Sequence, residues 1–206
     1  MILSNSIKLL LSTFLVCAAA NADSVFNFDT DNAGTATTFT DTNNGLSATF
    51  SSSADPGGFV IYQTNFFETL TGNVLGDPGP IGMDNLALDV SFSQQLSALT
   101  LDFATTDFNT PSPFTLTAYE NSTPVGSNTL TGQFLPGFLF PEGEIAFSGA
   151  QFNSVVISST ATDFAVDNLT AVVATVPEPK TLVLVGASLM IAGLYRRARG
   201  RATARK

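Results

Sequence analysis

Apolar and polar positions alternate with a period of two through much of the chain. Leu46, Ala48 and Phe50 are separated by Ser47 and Thr49, and the pattern returns at Leu86, Leu88, Val90 and Phe92. It recurs at Leu99, Leu101 and Phe103, at Phe114, Leu116 and Ala118, and at Val155 and Ile157. Successive side chains of a strand point to opposite faces, so the alternation predicts strands with one buried and one wet face. Shorter candidates lie at 24–28, 59–62, 127–130 and 164–173. Turn residues fall between them at Asn43-Asn44-Gly45, Asp55-Pro56-Gly57-Gly58, Asn109-Thr110-Pro111 and Thr123-Pro124. Helical periodicity is missing before residue 176. The expected fold is all-β, an antiparallel β-sandwich of jelly-roll type.

Two stretches break the rhythm. Residues 70–83 carry four Gly and two Pro, and residues 131–143 interleave Gly and Pro with Phe134, Phe138 and Phe140. Long loops at the end of a rigid sandwich are where binding usually resides, although their aromatics also serve as a satellite core under the loop.

The two ends read differently. Lys8 precedes an apolar run from Leu9 to Ala19, and Ala20-Asn21-Ala22 supplies the small residues of a signal-peptidase site. Residues 1–22 are therefore read as a signal peptide handled by the Sec translocon and signal peptidase, leaving a mature chain that starts at Asp23. Val16 before Cys17 departs from the lipoprotein pattern. At the other end Val176-Pro177-Glu178-Pro179 leads into an apolar run from Thr181 to Leu194, followed by Arg196, Arg197, Arg199 and Arg201. Arginines packed against only the C-terminal end of a transmembrane helix hold that end in the cytoplasm, so the preceding domain is outside. As a permanent anchor the run is short, because a stable span takes about 20 residues.

This order of Pro-Glu-Pro, apolar helix and Arg cluster resembles the PEP-CTERM sorting signal of bacterial exported proteins. The resemblance covers about the last thirty residues and implies recognition by exosortase, cleavage near Pro177-Glu178-Pro179 and loss of the tail. Lys180 stands where that signal more usually has a small polar residue. Three segments follow: the signal peptide 1–22, an extracytoplasmic β-sandwich 23–175 and the sorting signal 176–206.

Charge then narrows the chemistry. Segment 23–175 contains no Lys, Arg, His or Cys, yet holds all of the seventeen acidic residues except Glu178. Such a surface repels nucleic acid and anionic lipid. The usual bases for Ser or Thr nucleophiles are missing, as are a thiolate and the nitrogen and sulfur ligands of zinc. Only carboxylate chemistry survives, of the kind glycoside hydrolases use. Glu68, Glu120, Glu142 and Glu144 are its candidates, with Glu142 and Glu144 reading as a solvated turn. The expectation is a protein that is not an enzyme.

Thr162-Asp163-Phe164-Ala165-Val166-Asp167-Asn168-Leu169 resembles the closing strand of galactose-binding-like jelly rolls, which include many carbohydrate-binding modules. The resemblance implies that this strand lies beside the first, with a structural calcium where they meet. Asp29, Asp31, Asp163 and Asp167 are then the candidate oxygen ligands, hard donors that suit Ca²⁺. The domain has no Trp, and most of its Phe fall on the apolar side of their strands. Three roles remain open: a sugar-binding module, a structural or adhesion protein of the matrix and, remotely, a carboxylate-dependent glycoside hydrolase. The sorting family's association with exopolysaccharide makes that polymer the expected partner, in the outer envelope or biofilm matrix of a Gram-negative bacterium.

Overall fold

The computed structural model describes residues 22–77 and 86–175, together with Ser188 and Met190. Ala20, the sorting motif Val176 to Pro179, the apolar run apart from Ser188 and Met190, and the arginines lie outside the described residues, while Ala22 is exposed and outside any strand. The chain divides into two units, Met1–Ala174 and Thr175–Lys206. The first holds β1 (Ser24–Phe26), β2 (Phe39–Asn43), β3 (Leu46–Ser51), β4 (Val60–Thr64), β5 (Gly72–Gly76), β6 (Ala87–Thr105), β7 (Pro113–Glu120), β8 (Thr123–Thr131), β9 (Gln133–Phe134), β10 (Pro141–Ser159) and β11 (Phe164–Val173).

β6 and β10 form the spine. They run antiparallel, with Ile157 opposite Leu88 near one end and Ile145 opposite Leu101 near the other. Between Ser148 and Ser154 their register shifts, with only Phe152 matched to Leu96. Such irregularities bend strands and let them pass from one layer of a sandwich into the other. In the first layer β3 pairs with β6, β2 with β3, β7 with β10 and β8 with β7. In the second β11 pairs with the far half of β6, and β1 and β5 flank β11. The result is an all-β antiparallel sandwich whose last strand lies beside its first.

The predicted inward faces are buried. Leu46, Ala48, Phe50, Leu88, Val90, Leu99, Leu101, Phe103, Phe114, Leu116, Ala118, Val155 and Ile157 all have no exposed surface to speak of, and Leu86 and Phe92 are nearly covered. Phe103 stacks on Phe114 with ring centroids 4.0 Å apart and planes at 7°. Each buried Phe of this kind contributes about 1.5–3 kcal/mol from removal of apolar surface from water. Because every described strand and every buried residue among those described lie within 24–174, this segment closes its own core and folds as a unit.

The structure also corrects the strand list. The runs at 86–92 and 99–103 are one bent strand, β6, and residues 70–83, read as a loop, contain β5. β9 and the start of β10 lie in the second supposed loop. The β2–β3 hairpin turns on Asn44-Gly45, both with positive φ (49° and 79°), as a two-residue loop of the mirror-image type demands. A second such loop, Asn121-Ser122 (φ 47° and 69°), turns the β7–β8 hairpin, two residues before the expected Thr123-Pro124.

Candidate functional site

The four acids named for calcium do not form one ligand set. Asp163 and Asp167 are four residues apart along extended chain, about 13 Å, which no single ion spans. Asp163 lies beside Tyr62, whose phenol is pushed up to about 12 by burial, then by the charges of Asp163 and Asp77. Asp31 sits near Asp41, and burial followed by that charge raises its pKa. Asp29 and Asp167 are brought together, and Asp102 joins them as an acid the sequence did not single out. Among the described residues, no group of three or more Asp, Glu, His or Cys is arranged to hold a metal ion.

Local backbone explains this acidic meeting point. β11 carries a register shift after Asp167, where Asn168 takes a positive φ of 50°. Asn168 Nδ2 donates to Asp102 Oδ2 at 2.9 Å, and its backbone N–H to Asp167 Oδ1 at 2.7 Å. Asp29 Oδ1 accepts the N–H of Asn73 at 3.0 Å and fills the space a Cβ at residue 72 would need, which is why glycine stands there. Asp167 and Asp102 face each other across the β6–β11 ladder, and Asp102 faces Glu144 on β10. Asp167 is 1% exposed and its Oδ2 makes no hydrogen bond. Burial chiefly, with the charges of Asp29 and Asp102, pushes its pKa up to about 7 against the pull of the Asn168 and Thr71 amides.

Glu142 has a structural task. It is buried, with Oε1 and Oε2 accepting the N–H of Glu68 at 2.9 and 3.1 Å. Oε2 also accepts the N–H of Thr69 at 2.7 Å and its hydroxyl at 2.6 Å. The carboxylate thereby clamps the chain before β5 onto β10, and the reading of Glu142 as part of a solvated turn is corrected. Glu144 is exposed and shares with Asp102, Glu142, Thr69 and Gln133 the wall of a cleft of about 410 Å³.

A second concavity, of about 310 Å³, has a different character. Phe108 and Phe140 form its apolar side, with Thr106, Asp107, Asn109, Thr162 and Asp163 around them. Their rings lie 5.2 Å apart at 52°, Phe140 leans on the buried Phe67 at 5.7 Å, and Phe108 keeps 59% of its surface exposed. The loop that presents Phe108 is rigidly tied. Asp107 accepts the N–H and hydroxyl of Ser112 at 2.9 and 3.0 Å, while the Thr106 hydroxyl donates to the Asp163 carbonyl at 3.1 Å and accepts its N–H at 3.2 Å. Phe140 belongs to the aromatic stretch singled out in the sequence. Phe108 was missed, although a large apolar residue inside the polar run Thr105-Thr106-Asp107-Phe108-Asn109 is itself a signal.

No family model and no curated protein matches the chain. Among solved structures, the K2 cleaved adhesin domain of Lys-gingipain superposes with a TM-score of 0.51 at 15% identity, covering 74% of this chain and 99% of that domain. The two share a fold. A family 35 carbohydrate-binding module from Clostridium thermocellum aligns more loosely, with a TM-score of 0.36 at 15% identity over 74% of this chain and 99% of that one. A family 11 module from the same organism, in complex with a β-1,3-1,4-mixed-linked tetrasaccharide, gives 0.34 at 13% identity over 74% and 96%.

Proposed function

We propose that this is an exported, exosortase-processed, non-enzymatic protein of a Gram-negative envelope or biofilm matrix, which holds exopolysaccharide on the Phe108–Phe140 ledge. The observation that carries the sugar reading is that ledge: two ring faces, one well exposed, set beside hydroxyl, amide and carboxylate groups in a cavity of ligand size. Pyranose rings offer C–H faces to aromatic surfaces and hydroxyls to polar rims, the combination that small-ligand sites use. The ligand is an uncharged polymer, since segment 23–175 has no basic residue to meet a uronate or sulfate.

The export route rests on the ordering of Pro177-Glu178-Pro179, apolar run and arginines, with the Ala20 and Ala22 cleavage pattern at the other end. Against a glycosidase stands the engagement of Glu142, whose oxygens are taken by Glu68 and Thr69. A glycan array probed with residues 23–175, with and without calcium, tests the reading. Neutral glycans should bind, and Phe108→Ala should weaken binding about tenfold, the equivalent of one lost stacking contact. An array blank in both conditions leaves a structural or adhesion role without a sugar site.

A further inference from the structure

Strand edges expose rows of unpaired N–H and C=O groups, and proteins normally blunt them with charge, bulges or a covering segment. Among the described strands of five residues or more, β2, β4 and β8 lie at an edge over their full length. β4 is covered by its own chain. Gly34 N–H donates to the Ile61 carbonyl at 2.7 Å, Ile61 N–H to Thr35 at 2.9 Å and Thr37 N–H to Phe59 at 2.9 Å. β2 carries Asp41 at its centre.

β8 carries neither a charge nor a covering strand, although Val125 is bulged out of its pairing with β7 and Asn128 Nδ2 donates to the Ala146 carbonyl of β10 at 2.9 Å. It pairs with β7 from Thr123 to Thr131, and no other backbone hydrogen bond reaches it among the described residues. All its residues except Val125 and Gly126 are exposed. Its sequence, Thr-Pro-Val-Gly-Ser-Asn-Thr-Leu-Thr, is free of charge in a segment otherwise dense with acids. Pro124, at one end, has no donor, and the Thr129 N–H is met by Asn128 Oδ1 at 2.9 Å, a contact that a pairing strand would have to displace.

We propose that β8 is a self-association edge, at which two copies of the chain pair antiparallel, β8 against β8, about a two-fold axis. The occupant of a bare edge must itself be an extended strand. In this domain it must also be uncharged along its length, because an acidic strand would set like charges against an already acidic molecule. The identical strand of a second copy meets both requirements. A two-fold axis perpendicular to the sheet sets residues of one face opposite residues of the same face, so one strand serves both partners. Ser127, Thr129 and Thr131 would then continue across the dimer the hydroxyl ladder already begun by Thr115 and Thr129, whose oxygens are 3.0 Å apart. Two such acidic domains repel, so the dimer is weak in dilute buffer and strengthens as salt screens them.

Sedimentation velocity on residues 23–175, over a concentration series at low and at molar sodium chloride, tests this. The wild type should shift from monomer toward dimer with concentration, more strongly in high salt. Ser127→Asp with Thr129→Asp should stay monomeric throughout. Thr40→Asp with Thr42→Asp on β2 adds the same charge elsewhere and should dimerise as the wild type does. A wild type that stays monomeric at every concentration and salt, or two double variants that behave alike, overturns the proposal. If the aspartate pair on β8 fails to fold, single cysteines give an independent reading. Segment 23–175 has none of its own, and directly opposed residues of an antiparallel pair sit at disulfide distance. Ser127→Cys, Thr129→Cys or Thr131→Cys should yield a disulfide-linked dimer on oxidation, fastest for the position nearest the axis, while Thr42→Cys should not. Equal cross-linking at all four sites also overturns it.

Discussion

Replacing Asp167 with asparagine should make the domain more stable, and increasingly so as pH rises. The carboxyl is almost wholly buried, faces Asp102 across the ladder and leaves Oδ2 without a hydrogen bond. Burial, followed by the charges of Asp29 and Asp102, raises its pKa from 3.8 to about 7. In the unfolded chain the group returns to about 3.9. Between about pH 4 and about pH 7 the folded state therefore holds a proton that the unfolded state has released, so stability falls as pH rises through that window. Below about pH 4 both states are protonated and the penalty vanishes. At 1.36 kcal/mol for each unit between the two pKa values, the full penalty above pH 7 would be about 4 kcal/mol. Relaxation and water entry around a buried charge bring this down to about 2 kcal/mol. Asparagine keeps an Oδ1 to accept the Asn168 N–H and puts a donor where Oδ2 had no partner. Urea unfolding of residues 23–175 at pH 5 and pH 8 should show a small difference at the first and a stabilised variant at the second. A variant destabilised equally at both values would refute the reasoning, for it would mean that the ionised Oδ2 has a partner. If added calcium then stabilised only the wild type, that partner would be the cation.

Phe103→Ala should cost about 3–5 kcal/mol in the same assay, since it removes the stack on Phe114 and opens a cavity beside Gly143; a cost near zero would mean that the β6 face points the other way. Glu142→Gln sets an amide NH₂ against the Glu68 and Thr69 donors, so hydrogen exchange at those two amides should accelerate by about tenfold or more, as expected for a lost charged hydrogen bond. Unchanged protection would dismiss the clamp. Mass spectrometry of the mature protein from its host should find a start at Asp23 and no segment beyond about Pro177, whereas an intact arginine tail would reject exosortase processing.

Strand faces were legible in this chain and strand lengths were not. Alternation at Leu88, Val90, Leu101 and Phe103 reports which side is dry, and it survives a bend. Ser93-Gln94-Gln95 between those runs looks like a connection, yet it is where β6 crosses between layers, because a register shift against β10 supplies the curvature that a turn would otherwise supply. β5 was hidden by its own glycines. Gly72 is glycine because Asp29 occupies the Cβ space, and Gly76 because the Tyr62 ring packs on it. Both are demands of close approach inside a strand, and local sequence presents them as loop residues.

The site divides along the same line between local and long-range information. The nearness of Asp29 to Asp167 followed from the closing strand lying beside the first, which the jelly-roll resemblance implied and the pairing of Phe26 with Leu169 realises. Asp102 enters from mid-chain, through the β6–β11 ladder, and period-two reading cannot say which strand neighbours which. Glu142 shows the same limit from the opposite side. Its burial is decided by the backbone donors of Glu68 and Thr69, more than seventy positions earlier, so nothing near it in the chain marks it as interior. Where the constraint is local, sequence suffices. Phe108 sits in a polar run just before the turn Asn109-Thr110-Pro111, and an aromatic there has no strand face to hide behind, so its ring packs on a neighbouring loop or stays open. It does both, and the exposed part is the surface on which the sugar reading rests.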